Sequence, residues 1–391
     1  MSALRKYLDK IKPAFHEGGK LHALRSVYDG FETFMLVPND TAKGRGAQIH
    51  DAIDSKRIMS FVVIALLPCM LFGMYNVGYQ HYLAIGQQAG FWLTLGYGLI
   101  AVLPKIVVSY VIGLGIEFTV AQWKGEEIHE GFLVSGILIP LIVPINCPLW
   151  IIAVATAFAV IFAKEIFGGT GMNVFNVALV TRAFLFFSYP STMSGDKTFV
   201  NGSYIDCING VQGTADAVTA ATPLGQLATG ITPDCSVLEA SITGLIPGSI
   251  GETSIIAIAI GAFILLWSGV ASWKTMLSIF VGGALVAWLF NVSGSDNAVA
   301  QLPWYYHLTV GGFAFGAVFM ATDPVTSPRT EPAKWVYGLL IGAMAILIRV
   351  LNPGYPEGMM LAILLMNVFA PLFDYVVVQS NINKRLKRAK K

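Results

Sequence analysis

Charged side chains are scarce. Asp, Glu, Lys and Arg supply 12% of the 391 residues, where a soluble domain carries about 25%. Apolar residues make up 55% and the mean hydropathy is +0.65, so a soluble globular chain is excluded and a multi-pass membrane protein is expected. Cysteine is scarce too. Cys69, Cys147, Cys207 and Cys235 form no C-x-x-C pair and have no companion His at ligand spacing, which argues against an iron–sulfur cluster or a zinc site. Cys207 and Cys235 share the one long polar segment, where a disulfide stays an open alternative, because sequence does not set the distance between two sulfurs. Neither G-x-G-x-x-G nor a P-loop occurs in a suitable context, so no nucleotide-binding domain is expected. The net charge of +2 collects at the two ends and in short loops, which gives no basis for nucleic-acid binding. A cleaved signal peptide is not expected either, because the first strong apolar stretch begins only at Ile58, behind a leader containing Asp29, Glu32, Asp51 and Asp54.

A bilayer core of ~30 Å needs about 20 apolar residues per helix. Ten segments qualify, near 58–78, 91–122, 131–144, 149–164, 173–190, 253–270, 275–292, 304–321, 335–351 and 358–378. The second carries Pro104 and Lys105 at its middle; the third is short, broken by Pro140 and closed by Pro144. Basic residues crowd the leader (Arg5, Lys6, Lys10, Lys12 and onward to Arg57) and the tail (Lys384 to Lys391), so both ends are expected in the cytoplasm. Ten crossings also put Lys124, Lys164, Lys274, Arg329 and Lys334 inside, and leave the outer loops 79–90 and 293–303 free of Lys and Arg. The expected organisation is a cytoplasmic leader over 1–56, a five-helix half over 57–190, a periplasmic loop over 191–252, a second half over 253–378 and a basic tail over 379–391. The leader, poor in long apolar runs, is expected to form short amphipathic helices at the cytoplasmic surface.

Five spans per half imply that the second half crosses upside down relative to the first. At an offset of 180 residues Gly131 aligns with Gly311, Gly136 with Gly316, Pro144 with Pro324 and Pro148 with Pro328. The expected fold is therefore an all-α integral membrane protein of about ten transmembrane helices, arranged as two inverted five-helix repeats with broken third and eighth helices. Unwound backbone at depth is tolerated where it lines a cavity, which makes such breaks the place to look for a polar site.

In the polar segment, residues 216–222 read Asp216, Ala217, Val218, Thr219, Ala220, Ala221 and Thr222, followed by Pro223 and Leu224. Taken alone they suit a surface loop, since a residue before Pro is held near extended geometry and small polar residues favour turns. The string also resembles the acceptor sequence for covalent flavin attachment, in which FMN is joined through its phosphate to the hydroxyl of the last threonine. That places FMN on Thr222, with Asp216 and Thr219 as the other motif positions; Ala220 stands where the pattern often has Gly. Around it, Asp54-Ser55-Lys56-Arg57-Ile58-Met59, Glu130-Gly131-Phe132, the stretch from Phe162 through Gly171, Arg182-Ala183-Phe184-Leu185-Phe186-Phe187, Met320-Ala321-Thr322-Asp323-Pro324-Val325 and Pro371-Leu372-Phe373-Asp374-Tyr375 resemble, along nearly the whole chain, the NqrB/RnfD family. Its members are membrane subunits of the sodium-pumping NADH:quinone oxidoreductase (Na+-NQR) and of the related Rnf complex. The long polar leader favours the quinone-reducing member.

The resemblance implies covalent FMN at Thr222, a non-covalent riboflavin, quinone as the electron acceptor near the cytoplasmic side, and NADH oxidation on a partner. It also implies the other subunits of the complex (A, C, D, E and F), a flavin transferase, and Na+ as the transported ion. No residue is assigned to the riboflavin. Glu130, Asp323 and Asp374, at cytoplasmic ends of predicted spans, are candidates for a cation path, because a hard cation needs oxygen ligands and intramembrane carboxylates usually face cavities; a structural brace is the alternative, notably for Asp323 at the turn to Pro324. Asp29 and Glu32 are weaker candidates. The glycines of 168–171 are expected to serve close helix packing or, alternatively, approach of an anion. Arg182, read as near the cytoplasmic side, is expected to pair structurally, with Glu165 as one partner, or to hold a flavin carbonyl; Arg349 lies at the edge of a span. The competing readings are an Rnf-type electron-transfer subunit and a urea-transporter-like channel, which shares the five-plus-five architecture but has no use for a flavin acceptor.

Overall fold

A computed structural model of the chain describes residues 3–15, 21, 24–35, 55–125, 131–193, 200, 221–230, 235–295, 297–352, 354–355 and 357–389. Among them every regular element is helical. The leader supplies α1 (Ala3–Phe15) and α2 (Arg25–Met35). Tyr28 stacks on Phe15 at 5.0 Å between ring centroids and donates its hydroxyl to the Leu8 carbonyl at 2.8 Å. Lys12 and Glu32 form an ion pair at 3.2 Å. The Ser26 hydroxyl, donating to Gln122 Oε1 at 2.9 Å, ties this small unit to the end of the second apolar helix.

The apolar helices follow in order: α3 (Ser55–Ile85), α4 (Phe91–Lys124), α5 (Phe132–Leu141), α6 (Leu149–Ala159, extended by a π turn and a 3-10 turn to Phe167) and α7 (Val177–Ser188). Within the polar segment lies α8 (Pro223–Ala228), and after it come α9 (Ile255–Trp267), α10 (Trp273–Ser293), α11 (Phe313–Phe315, continued by a π turn over Gly316–Met320), α12 (Glu331–Leu351) and α13 (Met359–Ala389). Six of the helices described are long and apolar enough to cross a membrane, and α5, α7 and α9 are shorter apolar helices.

Their polarity runs outward to inward in the sense a lipid solvent demands. The buried face of α4 carries Thr94, Gly98, Lys105, Ser109, Gly113 and Glu117, while Leu99, Ile100, Leu103, Val107 and Val111 are exposed. Polar side chains turned into the bundle with large apolar ones on the surface are what a hydrocarbon environment selects. Helices then meet through small residues. Gly282 of α10 lies against the Leu339 carbonyl, and Gly342 of α12 against the Ile279 carbonyl and the Gly283 amide, so the two backbones approach as closely as the absence of a Cβ permits.

Two interruptions position the site. Helix α5, with ten residues, spans about 15 Å at ~1.5 Å per residue, half a bilayer core. Pro140 lies inside it and Pro144 follows, and proline donates no amide hydrogen to continue a helix. The interval 304–321, expected as one broken span, is divided into Trp304–Thr309, α11 and its π turn. The break falls at Gly311, whose φ of +73° is left-handed. Buried cations meet the carbonyls these breaks release: Lys105 donates to Cys147 O at 2.5 Å, Arg182 to Ile142 O, and Arg349 to His307 O at 2.6 Å and Val310 O at 3.2 Å. In a medium without water such carbonyls need an internal partner.

Candidate functional site

Two cavities lie at opposite ends of α3 and α9. The first, of about 70 Å³, is lined by Met59 and Val62 of α3, Gly131 and Ser135 at the start of α5, Lys164, Asn173, Asn176 and the turn from Phe319 to Val325. Asp323 stands in its wall. One Asp323 oxygen accepts from the Val325 amide (3.1 Å), the other from the Thr326 hydroxyl (3.0 Å) and the Asn176 amide group (3.3 Å). Asn176 in turn caps α7, its side-chain oxygen accepting from the amides of Ala178 at 3.0 Å and Leu179 at 3.4 Å. Asp323 is therefore both the brace of its turn and a carboxylate facing a cavity. Lys164, expected at the cytoplasmic end of the 149–164 span, is buried and ion-paired with Glu117 of α4. Glu130, the residue before Gly131, lies outside the described residues.

Asp374 is elsewhere. Its carboxylate accepts from the Arg329 amide (2.8 Å), the Thr330 amide (2.9 Å) and the Thr330 hydroxyl (2.6 Å), so that α13 anchors the two residues that lead into α12. Asp323 and Asp374 are thus not brought into one cavity. Glu32 is held by Lys12 within the leader. The side chain of Asp29 lies outside the described residues.

The second cavity adjoins Thr222. This residue is the N-cap of α8, half-buried and extended at φ −62°, ψ 153°, and its side-chain oxygen accepts from the Gly225 amide at 3.0 Å. Thr222 lines a small pocket of about 30 Å³ with Pro247, Gly248, Ser249, Glu252, Gly311 and Glu357. Ala221 and Pro223 border a neighbouring cavity of about 350 Å³, walled by Tyr79, Gln80, Leu83, Gln226 and Ile246. That volume is within the range of small-molecule sites, about 300–1,000 Å³. Asp216 and Thr219, and the Cys207–Cys235 pairing, lie outside the described residues.

Beneath Thr222 sits a largely buried charge cluster. Arg182, 1% exposed, pairs with Glu252 at 3.2 Å and with Glu357, and donates to Ser249 Oγ at 3.3 Å. This corrects the expectation for Arg182: Glu165 pairs instead with Lys124 at 3.6 Å, and Arg182 joins α7 to the two segments that enter α9 and α13. Sequence reasoning missed Glu252, Glu357 and Asn176. The signal was present, since an arginine inside an apolar helix needs buried counter-charges, and both glutamates border glycines at span entrances. The 168–171 glycines are corrected as well. Gly168, Gly169 and Gly171 have φ of +109°, +93° and +96°, and a Cβ on Gly169 or Gly171 would meet nothing within 4 Å, so backbone conformation rather than close packing calls for glycine there.

Over 98% of its length the chain is 43% identical to the B subunit of the Na(+)-translocating NADH-quinone reductase of Chromohalobacter salexigens, covering 96% of that protein. It is 42% identical to the protein of the same name from Pseudoalteromonas atlantica, covering 98% of this chain and 99% of the relative, and 42% identical to that of Neisseria meningitidis serogroup A, covering 99% of each. The profile of the NQR2, RnfD, RnfE family matches residues 44–383, and the chain belongs to that family.

Proposed function

We propose that the chain is the flavin-carrying membrane subunit of a respiratory complex that couples electron transfer from NADH to quinone with sodium translocation. Identity of 42–43% along 98–99% of the chain to proteins named for that activity carries the reading, and the full coverage, leader included, favours it over the Rnf-type alternative. The half-buried Thr222 hydroxyl beside two cavities supports attachment of FMN there through a phosphoester. Its oxygen accepts one hydrogen bond and holds an extended N-cap geometry that presents it to the pocket. Bound at this position, the flavin supplies electron transfer, while the chain supplies position and electrostatics. The quinone, a non-covalent riboflavin, the other subunits (A, C, D, E and F) and a flavin transferase complete the assembly.

In this reading the chain lies in the bacterial inner membrane as ten spans in two inverted five-helix halves, with both termini cytoplasmic and Thr222 facing the periplasm. The short α5 and the divided 304–321 interval support that arrangement, since they fall at matching positions of the two halves. The cavity holding Asp323 would then open toward the cytoplasm, where Asp323 and Glu130 attract Na+; Asp374 contributes at the neighbouring helix end. The docked α1–α2 unit of the leader frames the quinone entrance.

In-gel fluorescence of the denatured protein, expressed with a flavin transferase, tests the central claim. Fluorescence in the parent that disappears in Thr222→Ala is expected. Absence from both, with the transferase active on another substrate, would remove the covalent flavin from Thr222.

A further inference from the structure

We propose that the buried Arg182, Glu252 and Glu357 cluster sets the reduction potential of the flavin at Thr222, with Glu252 as its principal lever. The inference rests on the Thr222 reading and goes beyond it by assigning residues outside the acceptor motif to control of that cofactor. Thr222, Ser249, Glu252 and Glu357 all line one small pocket. The turn at Gly311 and Gly312 holds this arrangement. A Cβ on Gly311 would lie 2.5 Å from Leu224 Cδ1, two residues after Thr222, and one on Gly312 would lie 2.9 Å from the Glu252 carboxyl carbon. Paired glycines therefore let the helix of Thr222 and the Glu252 carboxylate rest on the same turn.

The charges around that turn come from separate parts of the chain. Arg182 reaches it from α7, Glu252 from the entrance to α9, Glu357 from the entrance to α13, and the Arg349 guanidinium of α12 would approach a Gly311 Cβ to 3.5 Å. Tyr355, buried and stacked edge-on against Phe186 at 4.3 Å, also faces Arg182. Satisfying the Ile142 carbonyl takes only one donor of Arg182. The guanidinium is also matched by two carboxylates on the pocket side, an arrangement that hydrogen bonding to Ile142 O does not require. Reduction of a flavin held at Thr222, by electrons drawn under the proposed function from NADH oxidised elsewhere in the complex, would add negative charge near this pocket. Carboxylates in its wall oppose that addition and guanidinium groups favour it. In a low-dielectric interior these contributions are weakly screened.

Neutralising Glu252 should therefore shift the flavin midpoint potential to more positive values, and adding a carboxylate should shift it to more negative ones. The experiment is a spectroelectrochemical titration of the full-length chain carrying its covalent flavin, with in-gel fluorescence run on each variant. Glu252→Gln is expected to keep the fluorescence and move the potential up. Glu357→Gln, at a partly exposed position, is expected to move it up by less, and decides the matter if Glu252→Gln does not accumulate. Ser249→Asp is expected to move it down. Opposite signs separate an electrostatic role from a structural one, because mere loosening of the pocket has no reason to follow the sign of the added charge. Fluorescent variants whose potentials match the parent, or move without regard to charge sign, overturn the proposal. A parent with no covalent flavin overturns the Thr222 reading instead.

Discussion

At the scale of single residues, several of the described charges are held in pairs. Glu117 and Lys164 face each other where both are almost wholly removed from solvent, with side chains 3% and 5% exposed. Removing one partner of such a pair leaves an uncompensated charge and costs roughly 3–5 kcal/mol, whereas an apolar pair of similar volume is often neutral. Lys164→Ala should therefore lower thermal stability of the detergent-solubilised protein sharply, and Glu117→Leu combined with Lys164→Met should restore most of it. A double variant as unstable as the single one would contradict this account. Glu331 is the opposite case, exposed at the first turn of α12 and bonded to Lys274 at 2.5 Å and Lys334 at 2.7 Å. Those hydrogen bonds, the one from Lys274 first, pull its carboxyl down to about 2. A depressed carboxyl contributes stability above its unfolded value, near 4.5, and loses it as pH falls toward about 2. In Glu331→Gln the part of the acid sensitivity belonging to this pair should vanish between pH 4.5 and 2; an unchanged acid profile counts against the pairing.

Elements join where side chains are smallest or anchors come from a neighbour. Leucine at Gly342 would drive its Cβ into the Ile279 carbonyl of α10, so Gly342→Leu should abolish accumulation of folded protein. Gly96→Ala, where an added Cβ meets nothing within 4 Å, should express as the parent does. Asp374 anchors the entry to α12 from another helix, accepting from the Arg329 and Thr330 amides just before it, whereas Asn176 caps α7 from its own sequence. A hydrogen bond contributes about 1 kcal/mol net, so Asp374→Ala should lower the melting temperature while Asp374→Asn, which keeps one of the two acceptor oxygens, retains part of it. The polar character of these positions was legible in the sequence. Their partners were not, because Asp374 reaches back over 44 residues to Thr330 and Arg182 forward over 175 to Glu357, distances no local pattern encodes.

For the whole molecule, the proposed orientation puts the loop after α10 outside and the tail of α13 inside. With Cys207 and Cys235 both changed to Ser, a membrane-impermeant thiol reagent applied to intact spheroplasts should label Ser295→Cys and leave Lys384→Cys untouched until the membrane is opened; the reverse pattern would invert the topology. The leader belongs to this scale as well. Its two helices are held to one another and to α4 by Tyr28, Lys12 and Ser26, so truncation should leave the membrane helices assembled while quinone reduction is lost. Full quinone reductase activity in the truncated complex would remove the leader from the quinone site.

Sequence alone determined that the chain lives in a membrane, that it is helical, where its apolar segments lie and which family it resembles. Each of these follows from properties additive along the chain: hydropathy summed over a window, proline and glycine punctuation, and short strings such as the one ending at Thr222. Tertiary structure decided the rest. It moved Arg182 from an expected neighbour of Glu165 to the centre of a charge cluster below Thr222, separated Asp323 from Asp374, buried Lys164 against Glu117, and reassigned the glycines of 168–171 to backbone geometry. The glycines answer to local backbone conformation. For the charges the physical reason is shared: a buried charge is stabilised by whatever atoms the fold brings within reach, and in a bundle with interrupted helices those atoms come from segments far apart in the chain.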